Sequence, residues 1–182
     1  MGTHMKLIIL DRDGVINYDS DQYIKSPAEW KPIPGSIEAI ARLNQNGYRV
    51  VVATNQSGIG RGLFDMGVLN AINDKMMGLV FQHGGRIEAL FFCPHTAAEN
   101  CDCRKPKTGM FEEIARRFEI DLSGVPCVGD SFRDLEAAAK MGCQPILVLT
   151  GKGQRTQQQG DLPRKTLVFA DLAEASKHLI AS

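Results

Sequence analysis

The chain has 182 residues, of which 43% are apolar and 23% charged, and its formal net charge is zero. Those totals suit one globular domain with a sizeable core, 5–182. They offer no strongly basic face for nucleic acid and no apolar run long enough to span a membrane. Met1-Gly2-Thr3-His4 reads as an expression scar ahead of a native start at Met5. Five cysteines, an odd number in a chain without a basic-then-apolar leader, point to a reducing cytoplasm. Metal binding is then the expected use of cysteine, ahead of disulfides.

Short apolar runs alternate with longer helical stretches. Lys6–Leu10 supplies the first strand, Leu7 to Leu10. Ser36 is placed to N-cap a helix that carries Ile37, Ile40, Ala41 and Leu43 on one face, and Gly47 ends it. The valine-rich segment Arg49–Ala53 is a second strand. Residues from about Asp65 to His83 form a long helix, with Leu69, Ile72, Met76 and Leu79 at core spacing. Ile87–Phe92 is a third strand, and Met110, Phe111, Ile114, Ala115 and Phe118 stripe another helix. Strands follow at 125–128, 145–149 and 166–169, with helices near 135–141 and 172–180. Gly151–Gly160, with its run of three glutamines, reads as a mobile surface loop. Alternating strands and helices predict a three-layer, doubly wound parallel α/β sheet of the Rossmann-like kind. The intervals between the polar clusters leave no room for a separate cap domain.

The clusters follow strands, where ligands of such sheets bind. Asp11-Arg12-Asp13-Gly14 sets two carboxylates at the mouth of the first strand, both able to face one side. Crowded carboxylates need a cation between them or a proton on one of them. A turn or an N-cap would use the same residues. Thr54-Asn55-Gln56-Ser57-Gly58 offers a hydroxyl and backbone N–H groups to phosphate oxygens. In Gly129-Asp130-Ser131, either Asp130 or Ser131 can cap the next helix, or Asp130 can join Asp11 in a hard, oxygen-lined Mg²⁺ site. Cys93-Pro94-His95, five residues, then Cys101-Asp102-Cys103 gather three thiols and an imidazole. They make a closed tetrahedral set for structural Zn²⁺. Cys127 and Cys143 read as inert core residues.

Asp11, Asp13, Thr54, Lys105, Asp130 and Asp134, in that order along the chain, resemble the four motifs of the haloacid dehalogenase superfamily. The resemblance implies a capless phosphatase with Asp11 as nucleophile, Asp13 as acid and base, and Thr54 and Lys105 on the phosphoryl group. It implies Mg²⁺ on Asp11, the Asp13 carbonyl and Asp130, with Asp134 behind them. The zinc loop running into Arg104-Lys105-Pro106 resembles the branch of heptose 1,7-bisphosphate and histidinol-phosphate phosphatases. Ser57 and Arg61-Gly62 favour the heptose enzymes, while the short zinc spacer favours the other group. The implied substrate contacts are Arg12, Asp19, Gln22, Asn55, Gln56, Ser57, Arg104 and Ser131. A small phosphorylated sugar is the expected partner, in surface-glycan precursor supply, with no nucleic acid or membrane partner and a monomeric state. Histidinol phosphate, a 3′-phosphorylated DNA end and a non-catalytic zinc-braced domain are the competing readings.

Overall fold

The computed structural model describes residues 4–182, so Met1–Thr3 of the expected scar lie outside the described residues. Among the described residues, six strands and six α-helices alternate. They are β1 (Lys6–Leu10), α1 (Ser36–Gln45), β2 (Tyr48–Asn55), α2 (Met66–Gln82), β3 (Ile87–Cys93) and α3 (Gly109–Phe118). Then come β4 (Pro126–Gly129), α4 (Phe132–Lys140), β5 (Gln144–Val148), α5 (Gly153–Gln159), β6 (Leu167–Phe169) and α6 (Leu172–Ala181). The strands form one parallel sheet in the order β3-β2-β1-β4-β5-β6. The order reverses between β1 and β4, which opens a crevice at their carboxyl ends.

Period-two alternation in the strands builds two cores. Ile8, Leu10, Val50, Val52, Val128, Ile146 and Val148 face α1, α2 and α6. Leu7, Ile9, Val51, Ala53 and Cys127 face α3 and α4. The strands are apolar on both sides because helices cover both sides, which gives the expected three layers. Cys127 and Cys143 are buried in the second core.

The segment between β1 and α1 is held by its own backbone pairing and by α2. Tyr18 N–H donates to Lys31 O and Ile33 N–H to Ile16 O, so the segment pairs with itself. Trp30 anchors it, fully buried, and Lys75 Nζ from α2 donates to Pro27 O (2.7 Å) and Trp30 O (2.9 Å). Among the described residues, no helix is long and apolar enough to cross a membrane.

Two local expectations need correction, and one open alternative is decided. Ser36 is the first residue of α1 and Gly35 its N-cap; the Ser36 hydroxyl donates to Val15 O (2.9 Å), tying α1 to the β1 segment. Gly151–Gly160 is not an irregular loop, because it contains α5. Thr156 is buried there and donates to Asp130 O (2.8 Å) and Lys152 O (3.0 Å). Of the two candidate caps after β4, Ser131 caps α4 in a reciprocal box with Asp134, which frees Asp130 from that task.

Candidate active site

The crevice at the β1/β4 switch point is a polar cleft lined by the carboxyl ends of the strands. Asp11 and Asp13 come from the end of β1, Thr54 to Ser57 from β2, Arg104 and Lys105 from the loop after β3, and Asp130 and Arg133 from β4 and α4. Asp11 N–H continues the ladder by donating to Val128 O (2.9 Å), which fixes the first acidic residue beside β4.

Lys105 occupies the centre of this charge cluster, 2% exposed. Its Nζ lies 2.7 Å from Asp134 Oδ1, 3.1 Å from Asp11 Oδ1 and 2.8 Å from the Ala53 carbonyl oxygen. Burial works against its charge, but Asp11 and Asp134 outweigh it and hold the ammonium well above the usual lysine range. Asp134 spends its other oxygen on the N–H and hydroxyl of Ser131 (3.1 and 2.9 Å). Against its burial, the Lys105 charge and hydrogen bond keep its carboxyl below the ordinary range.

Asp11 and Asp130 are in the opposite state. Burial, then the Asp134 charge, push Asp11 up to about 7 despite Lys105. Burial, then Asp11 and Asp134, push Asp130 up to about 8. Carboxylate oxygens of Asp11, Asp130 and Asp134 lie within 4.8 Å of one another, and the Lys105 ammonium pairs with Asp11 and Asp134 but not with Asp130. The donor set is hard, anionic and short of positive charge, which fits a divalent cation such as Mg²⁺. Asp11 and Asp130 each keep an oxygen free for it, whereas both oxygens of Asp134 are engaged.

Asp130 is packed by backbone. Lys152 N–H donates to its Oδ2 (2.8 Å), and Gly14 and Gly151 press against the same carboxylate with φ of 87° and 55°. A Cβ at either glycine would collide with it.

Asp13 sits beside a buried fork. Arg12 Nε and Nη2 reach its two oxygens at 2.9 and 3.3 Å, Asn17 Nδ2 donates to Oδ1 (2.9 Å) and Gln56 Nε2 to Oδ2 (3.0 Å). Burial opposes ionisation, but the Arg12 charge and these hydrogen bonds hold the carboxyl below its ordinary range. Gln56 also donates to Thr54 Oγ1 (3.0 Å). Asn55 grips the Lys105 backbone from both sides, accepting its N–H (3.0 Å) and donating to its carbonyl (3.1 Å).

Of the residues expected to touch substrate, Asp19, Asn55, Gln56, Ser57 and Arg104 line the cleft. Arg12 does not: it is wholly buried and its guanidinium is committed to Asp13 and Asn73. Gln22 is exposed on the far side of its loop, and Ser131 turns inward to cap α4. Ser20, Asp21, Tyr23 and Arg61 also line the cleft, and Arg133 and Lys152 do so without having been singled out. Lys152 follows β5 at its carboxyl end, and Arg133 opens the helix after β4; the strand-end rule covers both. Burial, then the Arg133 charge, with Arg61 adding, hold Arg104 below the ordinary arginine range. Among the described residues, none of these three guanidiniums meets a carboxylate at ion-pair distance. The cleft therefore has an anion-seeking side.

Beside it, Cys93, His95, Cys101 and Cys103 turn their donor atoms to one point, all within 4.8 Å of one another. His95 Nδ1 lies 3.3 Å from Cys103 Sγ and 3.5 Å from Cys93 Sγ. No pair is a disulfide. Burial tends to raise Cys101, but the Arg104 N–H and the neighbouring thiols bring it down to about 7. Four soft donors of this kind could hold one metal ion. One structural consequence concerns the glycine beside Asp130: Gly14→Ala should lower the unfolding free energy by about 1–3 kcal/mol, read from urea midpoints, because alanine resists that φ and meets the carboxylate.

The family model for HAD-like (haloacid dehalogenase-like) hydrolases matches residues 102–175. The chain is 58% identical to the D-glycero-β-D-manno-heptose-1,7-bisphosphate 7-phosphatase of Bordetella bronchiseptica, over 97% of this chain and 98% of that one. The enzyme of the same name from Pseudomonas aeruginosa is 55% identical, over 96% and 97%. A crystal structure of the Bordetella enzyme complexed with magnesium and phosphate superposes with a TM-score of 0.96, covering 97% of this chain and 99% of that one. A putative HAD-like phosphatase from Mesorhizobium loti, 32% identical, gives 0.81 over 98% and 85%. The chain belongs to the D-glycero-β-D-manno-heptose 1,7-bisphosphate 7-phosphatase family of haloacid dehalogenase-like hydrolases.

Proposed function

We propose that this chain is a phosphoric monoester hydrolase that removes the 7-phosphate of D-glycero-β-D-manno-heptose 1,7-bisphosphate through an aspartyl-phosphate on Asp11. The single observation that carries this reading is the 58% identity, along 97% of the chain, to a heptose bisphosphatase whose structure holds magnesium and phosphate. The reading places the chain in precursor supply for lipopolysaccharide core, as a cytoplasmic, monomeric, single-domain enzyme over 5–182. Five free thiols are consistent with a reducing compartment.

The geometry supports the following division of roles. Asp11, the Asp13 carbonyl and Asp130 would hold Mg²⁺, which supplies charge to neutralise the phosphoryl oxygens. A carboxylate oxygen of Asp11 attacks phosphorus, and Lys105 and the Arg12 N–H steady the group at Oδ1. Asp13 gives a proton to the leaving C7 oxygen. Its anion then takes a proton from the water that hydrolyses the aspartyl-phosphate. The low pKa of Asp13 favours the anion in the free site, and an incoming phosphate dianion raises it by like-charge repulsion. Thr54 and the backbone after β2 hold the phosphoryl oxygens, and Lys105 balances the charge that accumulates there. Arg104, Arg133 and Arg61 receive the distal 1-phosphate, with Asp19 and Asn55 to Ser57 facing the sugar. This division explains how one small cleft recognises a bisphosphate without a cap.

Zn²⁺ on Cys93, His95, Cys101 and Cys103 is the structural metal of this reading. All four positions are taken by protein, so it has no open place for chemistry. It braces the loop that carries Arg104 and Lys105 into the cleft. Cys101→Ala should therefore lose the single zinc found by metal analysis and lower Tm by roughly 5 °C or more. Zinc retained at one per chain would exclude this ligand set.

The activity itself is tested by phosphate release. The parent should prefer heptose bisphosphate to histidinol phosphate in kcat/KM and lose turnover in excess EDTA, with recovery on adding Mg²⁺. Asp11→Asn should release phosphate roughly 1,000-fold or more slowly. A large preference for histidinol phosphate, or an undiminished rate in that variant, would defeat the proposal.

A further inference from the structure

The buried fork beside the cleft is anchored on its far side. Arg12 is fully buried, yet only two of its three guanidinium nitrogens face Asp13. The third, Nη1, donates to Asn73 Oδ1 at 3.3 Å. Asn73 lies in α2 between Asn70 and Met76, itself 8% exposed. Its neighbour Ile72 and, one turn on, Met76 are packed into the core against the sheet. The asparagine is thus a polar side chain on the buried face of a core helix, and it does not line the cleft. A guanidinium fork is planar and rigid, so fixing its outer nitrogen fixes the plane in which its other N–H groups meet a carboxylate. That carboxylate is Asp13, the proposed proton donor, whose two oxygens also accept from Asn17 and Gln56.

We propose that Asn73 is a positioning residue for this reaction: through Arg12 it fixes the direction in which the Asp13 carboxyl faces the leaving oxygen. The inference rests on the aspartyl-phosphate reading above. In that step the Asp11 oxygen forms a bond to phosphorus while the bond from phosphorus to the ester oxygen breaks. The electron pair stays on the ester oxygen, and the Asp13 proton moves to it, so an alcohol leaves neutral. A 4-nitrophenyl ester leaves as a stable phenolate and needs no such proton. Loss of aim at Asp13 therefore penalises alkyl phosphates and spares nitrophenyl phosphate, whereas general loosening of the site penalises both.

The test compares kcat/KM of the parent and Asn73→Leu on heptose bisphosphate and on 4-nitrophenyl phosphate, with Mg²⁺ saturating. This ratio reports the first phosphoryl transfer and leaves out the later hydrolysis of the aspartyl-phosphate. Well-placed acid catalysis contributes roughly 10²–10⁴-fold, so partial misplacement should lower the alkyl value about 10–100-fold. The nitrophenyl value should change less than about threefold. Equal losses on both substrates would make Asn73 a structural residue only and overturn the proposal, as would no loss on either. Asn73→Ala serves as the second variant if the leucine does not fold; loss of the far-ultraviolet dichroism in both would assign the residue to folding and also overturn it. If the parent ignores heptose bisphosphate, the substrate reading fails by itself. The alkyl arm is then run with histidinol phosphate, and the positioning claim is judged on the same ratio.

Discussion

A single buried ammonium between two buried carboxylates organises this molecule. Lys105 Nζ stands 3.1 Å from Asp11 and 2.7 Å from Asp134, three chain segments meeting at one charge. Breaking such a pair leaves an uncompensated charge in the interior, so the segments are held to one arrangement. The cluster is nevertheless unbalanced. Asp130 completes a trio of carboxylates for one lysine, and the surplus falls on Asp11 and Asp130, which burial and mutual repulsion push up to about 7 and about 8. That deficit of positive charge is the physical reason a dication belongs there.

The surrounding fold serves to place that lysine. Asn55, the last residue of β2, clamps the Lys105 backbone through both its N–H and its carbonyl. The four soft donors of the neighbouring loop converge just before it, so the lysine follows directly on that cluster. On the opposite side, the strand β5 and helix α5 reach back to Asp130 through Lys152 N–H and the Thr156 hydroxyl. Lys152 also pairs with Asp19 at 3.4 Å, which joins Asp130 to the loop after β1. The two cores beneath, each built from alternate residues of the same strands, keep the strand ends in register.

The sheet and its covered faces were legible because the uninterrupted apolar runs of Leu7 to Leu10 and the valines of β2 record burial on two sides. The chemistry-bearing strand ends were legible for the same reason: polar clusters that interrupt apolar runs mark the edge where ligands bind. What escaped was decided by partners distant in sequence. Arg12, one place from Asp11, looks like a cleft residue, and only the packing of α2 shows that it is enclosed. α5 has no apolar stripe to announce it; buried Thr156 and Gly153 hold it by hydrogen bonding and close packing. Ser131 has a hydroxyl suited to phosphate, but the helix it begins claims that hydroxyl. Arg133 and Lys152 carry no individual signal, since a lone basic residue beside a strand end is ordinary.

The most direct test of the charge deficit is calorimetric titration of Mg²⁺ into the parent, Asp130→Asn and Asp134→Asn, each first shown to be folded. Asp130 keeps an oxygen free, while both oxygens of Asp134 are taken by Lys105 and Ser131. The parent is expected to bind one ion, Asp130→Asn to lose measurable binding, and Asp134→Asn to retain a site of weakened affinity. Unchanged binding in Asp130→Asn would contradict the central claim.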